Sequence, residues 1–224
     1  MTIGILTAMQ SEHDLLASLL DNKHTRQINN VSYLHGKKGD HEIILLQCGI
    51  GKVNATIGTV ELIKNYAPSY IISTGVAGGI DACLSVMDVV VSEQTVYHDV
   101  WCGMGCEHGQ IQGLPTFFNA APKLVEAALS LNDTQHTKIH SGLICTGDQF
   151  ITSRTELDTI KTNFPQGLAV DMESCAIAHT CHIYGVPFVS FRIISDTPGV
   201  DEHIQQYEDF WGEMATRSFQ VTKH

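Results

Sequence analysis

The chain alternates short apolar runs, which are typical of buried strands, with segments whose apolar residues recur every three or four positions, as in amphipathic helices. The apolar runs predict strands at residues 3–9, 31–35, 42–48, 70–73, 86–97, 140–145 and 167–170, and a last strand whose apolar run at 186–189 leads into residues 192–196. The periodic segments predict helices at residues 11–20, 53–66, 123–131, 153–161, 172–184 and 207–222. This alternation predicts a three-layer α/β/α fold, in which helices cover both faces of a mixed, mostly parallel central sheet.

Two of the helix starts carry a capping box, in which a hydroxyl residue caps the helix and an acidic residue three positions later binds back to it. Ser11 with Asp14 predicts one start, and Ser153 with Glu156 predicts the other. Residues 99–121 are rich in glycine and have no period, so they are interpreted as a long functional loop.

Charged side chains follow two of the predicted strands at their carboxyl ends. Asp171 and Glu173 follow the apolar run at 167–170, and Asp196 follows a strand that contains Arg192. An unpaired buried carboxylate is costly, so these positions need partners or a purpose. Because ligands bind at the carboxyl ends of strands in open α/β sheets, the sequence predicts that the four side chains face one crevice.

Glu12 belongs to the same prediction, because it follows the first strand where the crevice opens. These acids also have a structural interpretation. Glu12 and Glu173 lie in first helical turns, where acidic residues favour the helix dipole, and Asp196 precedes a turn at residues 197–199. Arg192 lies within an apolar strand, where we expect it to pair with one of the carboxylates.

Two glycine-rich segments are candidates for close contact with a ligand. Residues 75–79 could cradle a phosphate, allow a ligand to approach the backbone, or form a tight turn. They lack the dinucleotide pattern Gly-x-Gly-x-x-Gly, and residues 49–52 lack the upstream glycine and the hydroxyl residue of a P-loop. The glycines therefore indicate close approach of some ligand without identifying it.

A group of cysteine and histidine residues resembles a metal site only superficially. The spacing of Cys102, Cys106 and His108 matches no standard zinc pattern, so no metal is predicted. His98 and Asp99 are interpreted instead as a pair at a strand end that borders the ligand site.

Composition narrows the class of partner. The chain has 224 residues, of which 43% are hydrophobic and 17% charged, and this suits one globular domain over residues 1–224. The formal net charge of -11, without a basic run, argues against nucleic acid or an anionic membrane and favours a small molecule. No apolar stretch is long enough to span a bilayer, and because the sequence starts directly in an apolar strand, no secretory leader is expected. The seven scattered cysteines fit free thiols in a reducing cytoplasm.

Several short motifs occur in a fixed order over nearly the whole chain. They are Ile3-Gly4-Ile5 through Ala8-Met9 to Glu12, Gly49-Ile50-Gly51-Lys52-Val53, Thr74-Gly75-Val76-Ala77-Gly78-Gly79, Tyr97-His98-Asp99, Thr146-Gly147-Asp148-Gln149-Phe150-Ile151, Val170-Asp171-Met172-Glu173 and Arg192-Ile193-Ile194-Ser195-Asp196. This ordered set resembles the 5'-methylthioadenosine/S-adenosylhomocysteine nucleosidases of the nucleoside phosphorylase superfamily. The resemblance implies a nucleoside phosphorylase-like fold, hydrolysis of an N-glycosidic bond, no cofactor and a homodimer.

The resemblance also implies a role for each site residue. Asp196 looks like the general acid that protonates N7 of adenine, and Glu12 looks like the base that activates water, with Arg192 helping to hold it. Glu173 would bind the ribose hydroxyls. The other implied contacts are stacking by Phe150, a backbone hydrogen bond from Ile151, close approach at Gly78 and a pocket lining of Met9, Ile50, Met172 and Tyr207.

The implied chemistry is physically coherent. Breaking an N-glycosidic bond gives an oxocarbenium-like sugar, which nearby carboxylates stabilise. A leaving purine needs a proton, and burial beside an apolar strand would raise the pKa of Asp196 so that it stays protonated. The water needs a second carboxylate that stays ionised, and the position of Glu12 at a helix N-terminus is expected to favour this.

Three positions differ from the pattern expected of such nucleosidases. Asp171 stands in place of Glu, Val76 in the pocket lining replaces a Ser, and Met104 replaces an aromatic residue in the unusual loop 101–115. These differences bear on the preference for the thioether side of the substrate more than on hydrolysis.

Three other functions remain open at this point. They are phosphorolysis by a purine nucleoside phosphorylase, hydrolysis of another purine nucleoside such as a futalosine-type substrate, and nucleoside binding without catalysis. Glu12 would repel phosphate, and residues 78–81 contain no Arg or Lys, so water is favoured as the nucleophile. A silent binding protein is expected to have lost Glu12, Glu173 or Asp196, and all three are present.

Overall fold

The computed structural model describes residues 1–133, 138–198, 200 and 202–214. Its strands are β1 Thr2–Thr7, β2 Asp21–Ile28, β3 Val31–Lys38, β4 His41–Gln47, β5 Tyr70–Gly79, β6 Val89–Tyr97, β7 Phe118–Asn119, β8 Ile139–Thr146, β9 Gly167–Asp171 and β10 Phe188–Asp196. Its helices are α1 Gln10–Ser18, α2 Lys52–Tyr66, α3 Pro122–Leu129, α4 Arg154–Asn163, α5 Ser174–Tyr184 and α6 His203–Met214, with a 3-10 turn at Ser130–Asp133.

Successive side chains of a strand point to opposite faces, and this divides the core into two layers. Ile5 on β1 packs in a cluster with residues of α1, α3 and α6, whereas its neighbour Leu6 packs with residues of α2 and α5. Leu45 and Leu46 on β4 divide in the same way. Helices therefore cover both faces of a mixed sheet, and the predicted α/β/α fold class is confirmed.

Half of the sheet closes on itself. The strand order is β10-β6-β8-β9-β5-β1-β4-β3-β2, and β10 also pairs with β5. The strands β5, β10, β6, β8 and β9 thus form a ring, and one buried cluster takes a side chain from each of them: Ala77, Ile194, Val90, Ile144 and Ala169. The apolar pattern predicts an open sheet and does not indicate this ring. Pairing between strands that are distant in sequence leaves no local signal.

The first helix begins earlier than the sequence predicts, and its cap is different. Met9 is the N-cap, and the third helical residue, Glu12, accepts a hydrogen bond from the Met9 backbone N–H at 2.9 Å. The predicted box of Ser11 and Asp14 is therefore wrong. Asp14 instead accepts a hydrogen bond from the Gln10 side chain at 2.7 Å.

The capping box at the start of α4 is confirmed. Ser153 is the N-cap and accepts a hydrogen bond from the Glu156 backbone N–H at 3.3 Å, while Glu156 accepts one from the Ser153 N–H at 3.0 Å. Within residues 99–121, the predicted long loop is irregular except for the two residues of β7.

Other predicted boundaries need correction. The glycine-rich residues 75–79 continue β5 and do not form a tight turn. The helix predicted from residue 172 starts at Ser174, after the carboxyl end of β9. The edge strand β2 was not predicted, because almost all of its side chains are exposed and it carries no apolar pattern. The last predicted helix is found as α6, and residues 215–222 of that prediction lie outside the described residues.

Candidate active site

A cavity of about 110 Å³ lies at the carboxyl ends of β1, β5, β9 and β10. Its lining consists of Ala8, Met9, Glu12, Ile50, Val76, Ala77, Gly78, Gln149, Phe150, Ile151, Val170, Asp171, Met172, Glu173, Ser195, Asp196, Pro198 and Tyr207. Every predicted site residue except Arg192 lies on it. The structure therefore brings Glu12, Glu173 and Asp196 together, although they are far apart in sequence.

The carboxylate of Glu12 is buried and is held by backbone amides. Its Oε2 accepts hydrogen bonds from the N–H groups of Ala8 at 3.0 Å and Met9 at 2.9 Å, and its Oε1 accepts one from Val76 at 3.1 Å. Burial raises the pKa of Glu12, while the three amides and the charge of Arg192 oppose the rise. Burial therefore outweighs the helix terminus that the sequence emphasises, and a raised pKa suits a group that accepts a proton.

Gly75 on β5 makes this position of Glu12 possible. A side-chain Cβ at residue 75 would lie 2.6 Å from Glu12 Oε1 and 3.4 Å from a guanidinium nitrogen of Arg192. Any larger residue would therefore displace the Glu12 carboxylate. The glycine-rich segment serves a buried protein side chain here, a role that the sequence did not indicate.

Arg192 lies behind the lining and is 2% exposed. Its Nε donates to Asp171 Oδ2 at 2.7 Å, and its Nη2 donates to Ser73 Oγ at 3.0 Å and lies 3.9 Å from Glu173 Oε2. The expected pairing with a carboxylate is observed, and the closest partner is Asp171. The implied contact with Glu12 is electrostatic, because backbone amides hold that carboxylate.

Both oxygens of Asp171 accept hydrogen bonds from the protein. Oδ1 accepts one from Thr146 Oγ1 at 2.5 Å, and Oδ2 accepts from the Ser174 backbone N–H at 3.0 Å, from the Ser174 hydroxyl and from Arg192. These partners occupy the acceptor capacity of the carboxylate. Asp171 thus lines the cavity but fixes its neighbours, unlike the other acids predicted to face the crevice.

Glu173 lies at the start of α5, and the residue is 7% exposed. Oε1 accepts a hydrogen bond from the Gly51 backbone N–H at 2.8 Å, at the N-terminus of α2. Burial and the neighbouring charge of Asp171 raise the pKa of Glu173, and Arg192 and the Gly51 amide oppose the rise.

Asp196 ends β10 and faces the cavity beside Ser195. The pairing of β10 with β5 shifts register between Ile194 and Asp196, so that Asp196 lies opposite Gly78. The Ser195 hydroxyl donates to Asp196 Oδ1 at 2.6 Å. Burial raises the pKa of Asp196, and the Ser195 hydrogen bond and the charge of His203 oppose it. A protonated carboxyl in this position can donate a proton to a ligand.

The mouth of the cavity is built from large side chains that are partly exposed. The rings of Phe150 and Tyr207 meet edge to face at 5.5 Å, and the Tyr207 hydroxyl lies 3.9 Å from Met9 Sδ. Ile50 and Phe150 are 51% and 53% exposed. Apolar and aromatic surface at this mouth suits a flat base or an alkylthio group.

Two pocket positions make contacts that the sequence did not indicate. The space that a Cβ would take at Gly78 is filled by Pro198, 2.7 Å from that position, so Gly78 serves the packing of the 197–198 segment as well as the lining. Val76 contributes its backbone N–H to Glu12, and this contact does not depend on the identity of its side chain.

The lining residues that were not predicted include Gln149, Ser195 and Pro198. Ser195 and Gln149 stand inside motifs that the sequence analysis singled out, next to residues that were chosen. Pro198 was interpreted only as part of a turn. Adjacency within a motif was the available signal for the first two, and nothing in the sequence indicated that the turn folds back over Gly78.

Within the described part of the chain, no group of three or more His, Cys, Asp or Glu side chains is arranged to hold a metal ion. No helix among the described residues is long and apolar enough to cross a membrane. All seven cysteines are free thiols. Asp99 accepts a hydrogen bond from the Asp148 backbone N–H at 2.9 Å, and so borders the segment that carries Gln149.

Comparison with known proteins gives a consistent result. The sequence profile of the Phosphorylase superfamily matches residues 2–224. The chain is 40% identical, over 222 residues, to the 5'-methylthioadenosine/S-adenosylhomocysteine nucleosidase of Actinobacillus succinogenes, covering 99% of this chain and 96% of that protein.

Solved structures agree with the sequence match. The S-adenosylhomocysteine nucleosidase of Streptococcus pyogenes, in complex with 5-methylthiotubericidin, has a TM-score of 0.94 at 36% identity, covering 100% of this chain and 94% of that one. The nucleosidase of Colwellia psychrerythraea, in complex with adenine, has a TM-score of 0.94 at 35% identity, covering 100% and 93%. The chain therefore belongs to the phosphorylase superfamily and, within it, to the 5'-methylthioadenosine/S-adenosylhomocysteine nucleosidases.

Proposed function

We propose that this protein hydrolyses the N-glycosidic bond of 5'-methylthioadenosine and S-adenosylhomocysteine, releasing adenine and a 5-thioribose product. The observation that carries the proposal is the convergence of Glu12, Glu173 and Asp196 on one cavity. Relatives named as nucleosidases for these two substrates, and related structures in complex with adenine and with 5-methylthiotubericidin, support the same reaction.

Asp196 is proposed as the general acid. Its raised pKa favours the protonated form, and the proton passes to N7 of adenine as the bond between N9 and C1' breaks. The Ser195 hydroxyl fixes Oδ1, so the second oxygen of Asp196 is the one available to the base. The electron pair of the broken bond leaves with the purine, and the sugar becomes oxocarbenium-like.

Glu12 is proposed as the base. Water attacks C1' of the sugar, and its proton passes to the Glu12 carboxylate, which the amides of Ala8, Met9 and Val76 hold in place. Because these donors belong to the backbone, they hold the carboxylate without help from another side chain. The negative charge of Glu12 also stabilises the developing positive charge on the sugar.

Substrate binding divides between the two sides of the cavity. Glu173 is proposed to bind the ribose hydroxyls, Phe150 to stack on adenine, and the Ile151 backbone to hydrogen-bond the base. Met9, Ile50, Met172 and Tyr207 are proposed to line the alkylthio and ribose side, with Gly78 and Val76 completing the wall.

Phosphorolysis is the second candidate, and the charge of the lining opposes it. Among the described residues of the lining there is no Lys, Arg or His, whereas four are acidic. Arg192, which lies behind the lining, is already bound by Asp171 and Ser73. A phosphate in this cavity would meet Glu12 without a compensating cation, which is strongly unfavourable in a buried site. A hydrolase for another purine nucleoside, such as a futalosine-type substrate, would use the same groups.

The test is a base-release assay with purified protein in phosphate-free buffer. Methylthioadenosine, adenosylhomocysteine, adenosine and inosine are each incubated with the protein, and free base is measured. We expect rapid adenine release from the first two and no increase on adding phosphate. Phosphate-dependent turnover, or preferred cleavage of inosine, would replace the proposal with one of the alternatives.

Two variants test the assigned roles. Asp196→Asn removes the transferable proton and Glu12→Gln removes the base, so each is expected to lower kcat by at least about 100-fold. Binding of adenine should persist in Asp196→Asn. Glu126→Gln, on the exposed surface of α3, serves as the control. Near-normal kcat in either active-site variant would refute the corresponding role.

We also propose that the protein is a cytoplasmic homodimer that acts in methionine salvage. Free thiols suit a reducing compartment. The large apolar side chains of Val53, Ile57, Trp101 and Met104 are 55% to 99% exposed, and Val53 and Ile57 lie on α2, which begins two residues after the mouth residue Ile50. Exposed apolar side chains of this size fit a surface covered by a second copy. Sedimentation analysis of wild type and Val53→Glu tests the dimer, and a monomeric wild type would overturn it.

A further inference from the structure

Beside the cavity, three charged residues outside its lining form a closed ring of hydrogen bonds. We propose that Lys52, Asp99 and Asp148 act as a positioning cluster, which fixes the ribose-binding and base-binding sides of the cavity relative to each other. The proposal rests on the proposed function, since it assigns the two sides to ribose and base. None of the three residues is given a chemical role in the reaction.

The ring runs through side chains and backbone. Lys52 Nζ donates to Asp99 Oδ2 at 2.7 Å and to Oδ1 at 2.9 Å. Asp99 Oδ2 also accepts from the Asp148 backbone N–H at 2.9 Å, and Asp148 Oδ1 accepts from the Lys52 backbone N–H at 2.8 Å. Lys52 Nζ lies 5.4 Å from the centre of the Tyr97 ring, which favours a cation at this point. The ring thus ties together the start of α2 and the segments after β6 and β8.

On the ribose side, the cluster acts through the start of α2. Lys52 is the first residue of α2, and the preceding N–H, that of Gly51, donates to Glu173 Oε1 at 2.8 Å. Two successive amides of the chain therefore bind two carboxylates, one in the cavity and one in the ring. Gly51 has a φ of +94°, and a Cβ there would lie 3.0 Å from Asp148 Oδ1, so the two loops fit closely only with glycine.

On the base side, the cluster acts through the segment after β8. Asp148 is followed directly by Gln149, Phe150 and Ile151, all of which line the cavity. The preceding residue, Gly147, packs against the ring of His98, since a Cβ at residue 147 would lie 2.4 Å from it. Phe150 itself is 53% exposed, so its position depends on how the preceding backbone is held.

Stability alone is a weak explanation for this ring. The side chains of Lys52, Asp99 and Asp148 are 22%, 18% and 47% exposed, and partly exposed ion pairs contribute little to folding. The distinctive property of the ring is that it connects three loops, two of which carry cavity residues. Positioning therefore accounts for its geometry better than stabilisation does.

Lys52→Met is the principal test, with Lys64→Met on the exposed surface of the same helix as the matched control. We measure the Kd of adenine, the KM and kcat for methylthioadenosine, and the thermal midpoint. Loss of the ring should raise both the Kd and the KM about tenfold, with a smaller change in kcat and little change in the thermal midpoint. Lys64→Met should leave all four quantities unchanged.

Two further variants keep the test informative if Lys52→Met folds poorly. Lys52→Arg retains the cation and is expected to restore most of the binding, while Asp148→Asn retains the acceptor for the Lys52 N–H and should raise the KM only about threefold. A thermal midpoint that falls while Kd and KM stay at the wild-type values would overturn the proposal and make the ring structural.

The adenine measurement separates this proposal from the proposed function. If wild type binds adenine in a Lys52-dependent manner but releases none from methylthioadenosine, the reaction assignment fails and the positioning role stands. If wild type cleaves methylthioadenosine and Lys52→Met binds and cleaves normally, the positioning role fails and the reaction stands.

Discussion

The reacting side of the cavity, where Glu12 and Asp196 lie, and its mouth are built in different ways. On the reacting side, Glu12 and Asp196 are each 2% exposed, and backbone amides or a neighbouring hydroxyl hold their carboxyl groups. At the mouth, Ile50 and Phe150 are more than half exposed, and Phe150 is in ring contact with Tyr207. The groups proposed for chemistry are thus buried and held by hydrogen bonds, whereas Ile50 and Phe150 are exposed side chains on loops.

This difference separates the residues whose side chains can be changed without moving the backbone from those whose side chains cannot. A residue at the mouth can change size without moving a backbone hydrogen bond, so substrate range can be altered there. On the reacting side, the packing around Glu12 leaves no room for an added carbon atom at Gly75. Changes on the reacting side should therefore abolish turnover, and changes at the mouth should mainly weaken binding.

The largest expected effect follows from a single methyl group on the reacting side. Gly75→Ala places a Cβ 2.6 Å from Glu12 Oε1, so the carboxylate must move. Displacement of a catalytic group by about 1 Å lowers rates by about 100-fold, and we expect this loss in kcat for methylthioadenosine.

Gly142→Ala is a matched control for this substitution, because its Cβ would lie equally close, 2.6 Å, to Leu168 Cδ1, which is not part of the cavity lining. It should affect the thermal midpoint without lowering kcat to the same degree. If Gly75→Ala retained full activity, the rigid description of the reacting side would be wrong.

The next effect concerns the mouth. Phe150→Ala removes the ring proposed to stack on adenine, and stacking of a base on an aromatic side chain contributes about 1–3 kcal/mol. We expect the Kd of adenine to rise about tenfold, with kcat changed by less than about threefold. Titration calorimetry and steady-state kinetics measure the two quantities, and Ile183→Ala, exposed on α5, is the control. A kcat loss equal to that of Gly75→Ala would remove the distinction between the two sides.

The smallest expected effect is on stability and depends on pH. The pKa of Glu173 in the folded protein is raised above the ordinary value of 4.5, so the folded state holds this proton more tightly than the unfolded chain. The contribution of Glu173 to the free energy of unfolding is therefore favourable below pH 4.5, and it is lost as the pH rises through the pKa of Glu173 in the folded protein. Glu173→Gln removes this dependence and should raise the thermal midpoint by about 3 °C at pH 8.

At pH 4 the same substitution should leave the thermal midpoint close to that of wild type, because the carboxyl is then protonated in both states. Differential scanning calorimetry at the two pH values measures the difference. Glu126→Gln, whose side chain is exposed, should show none. A lower midpoint for Glu173→Gln at pH 8 would mean that the carboxylate stabilises the fold, contrary to the burial argument.

The sequence predicted the site best where a short apolar pattern determines the position of a residue in the sheet. Apolar runs that end in acids place Glu173 and Asp196 at carboxyl strand ends, and the sheet brings such ends together. It was least informative where a contact joins segments without a shared pattern. The closure of the strand ring, the fit of Gly75 against Glu12 and the turn of Pro198 over Gly78 depend on distances that no spacing in the sequence encodes.

The error at the first helix has a specific cause. A serine followed by an aspartate three residues later matches the capping pattern, but Glu12 is the residue that binds back to the N-cap amide. The carboxylate of Glu12 thus serves helix capping and the cavity at the same time. Sequence rules for helix ends assume that a capping acid has no other task, and that assumption fails where a helix begins inside a ligand site.

The closed ring of strands has a consequence for how activity is lost on heating. β5, which carries Gly75 and Val76, pairs with β1, β10 and β9, and therefore has no edge from which it can peel away. Amide protons along this strand should exchange only through global opening, in contrast to those of the exposed edge strand β2. The arrangement of Glu12 against Gly75 and Val76 should consequently persist up to the cooperative melting transition and disappear together with the fold.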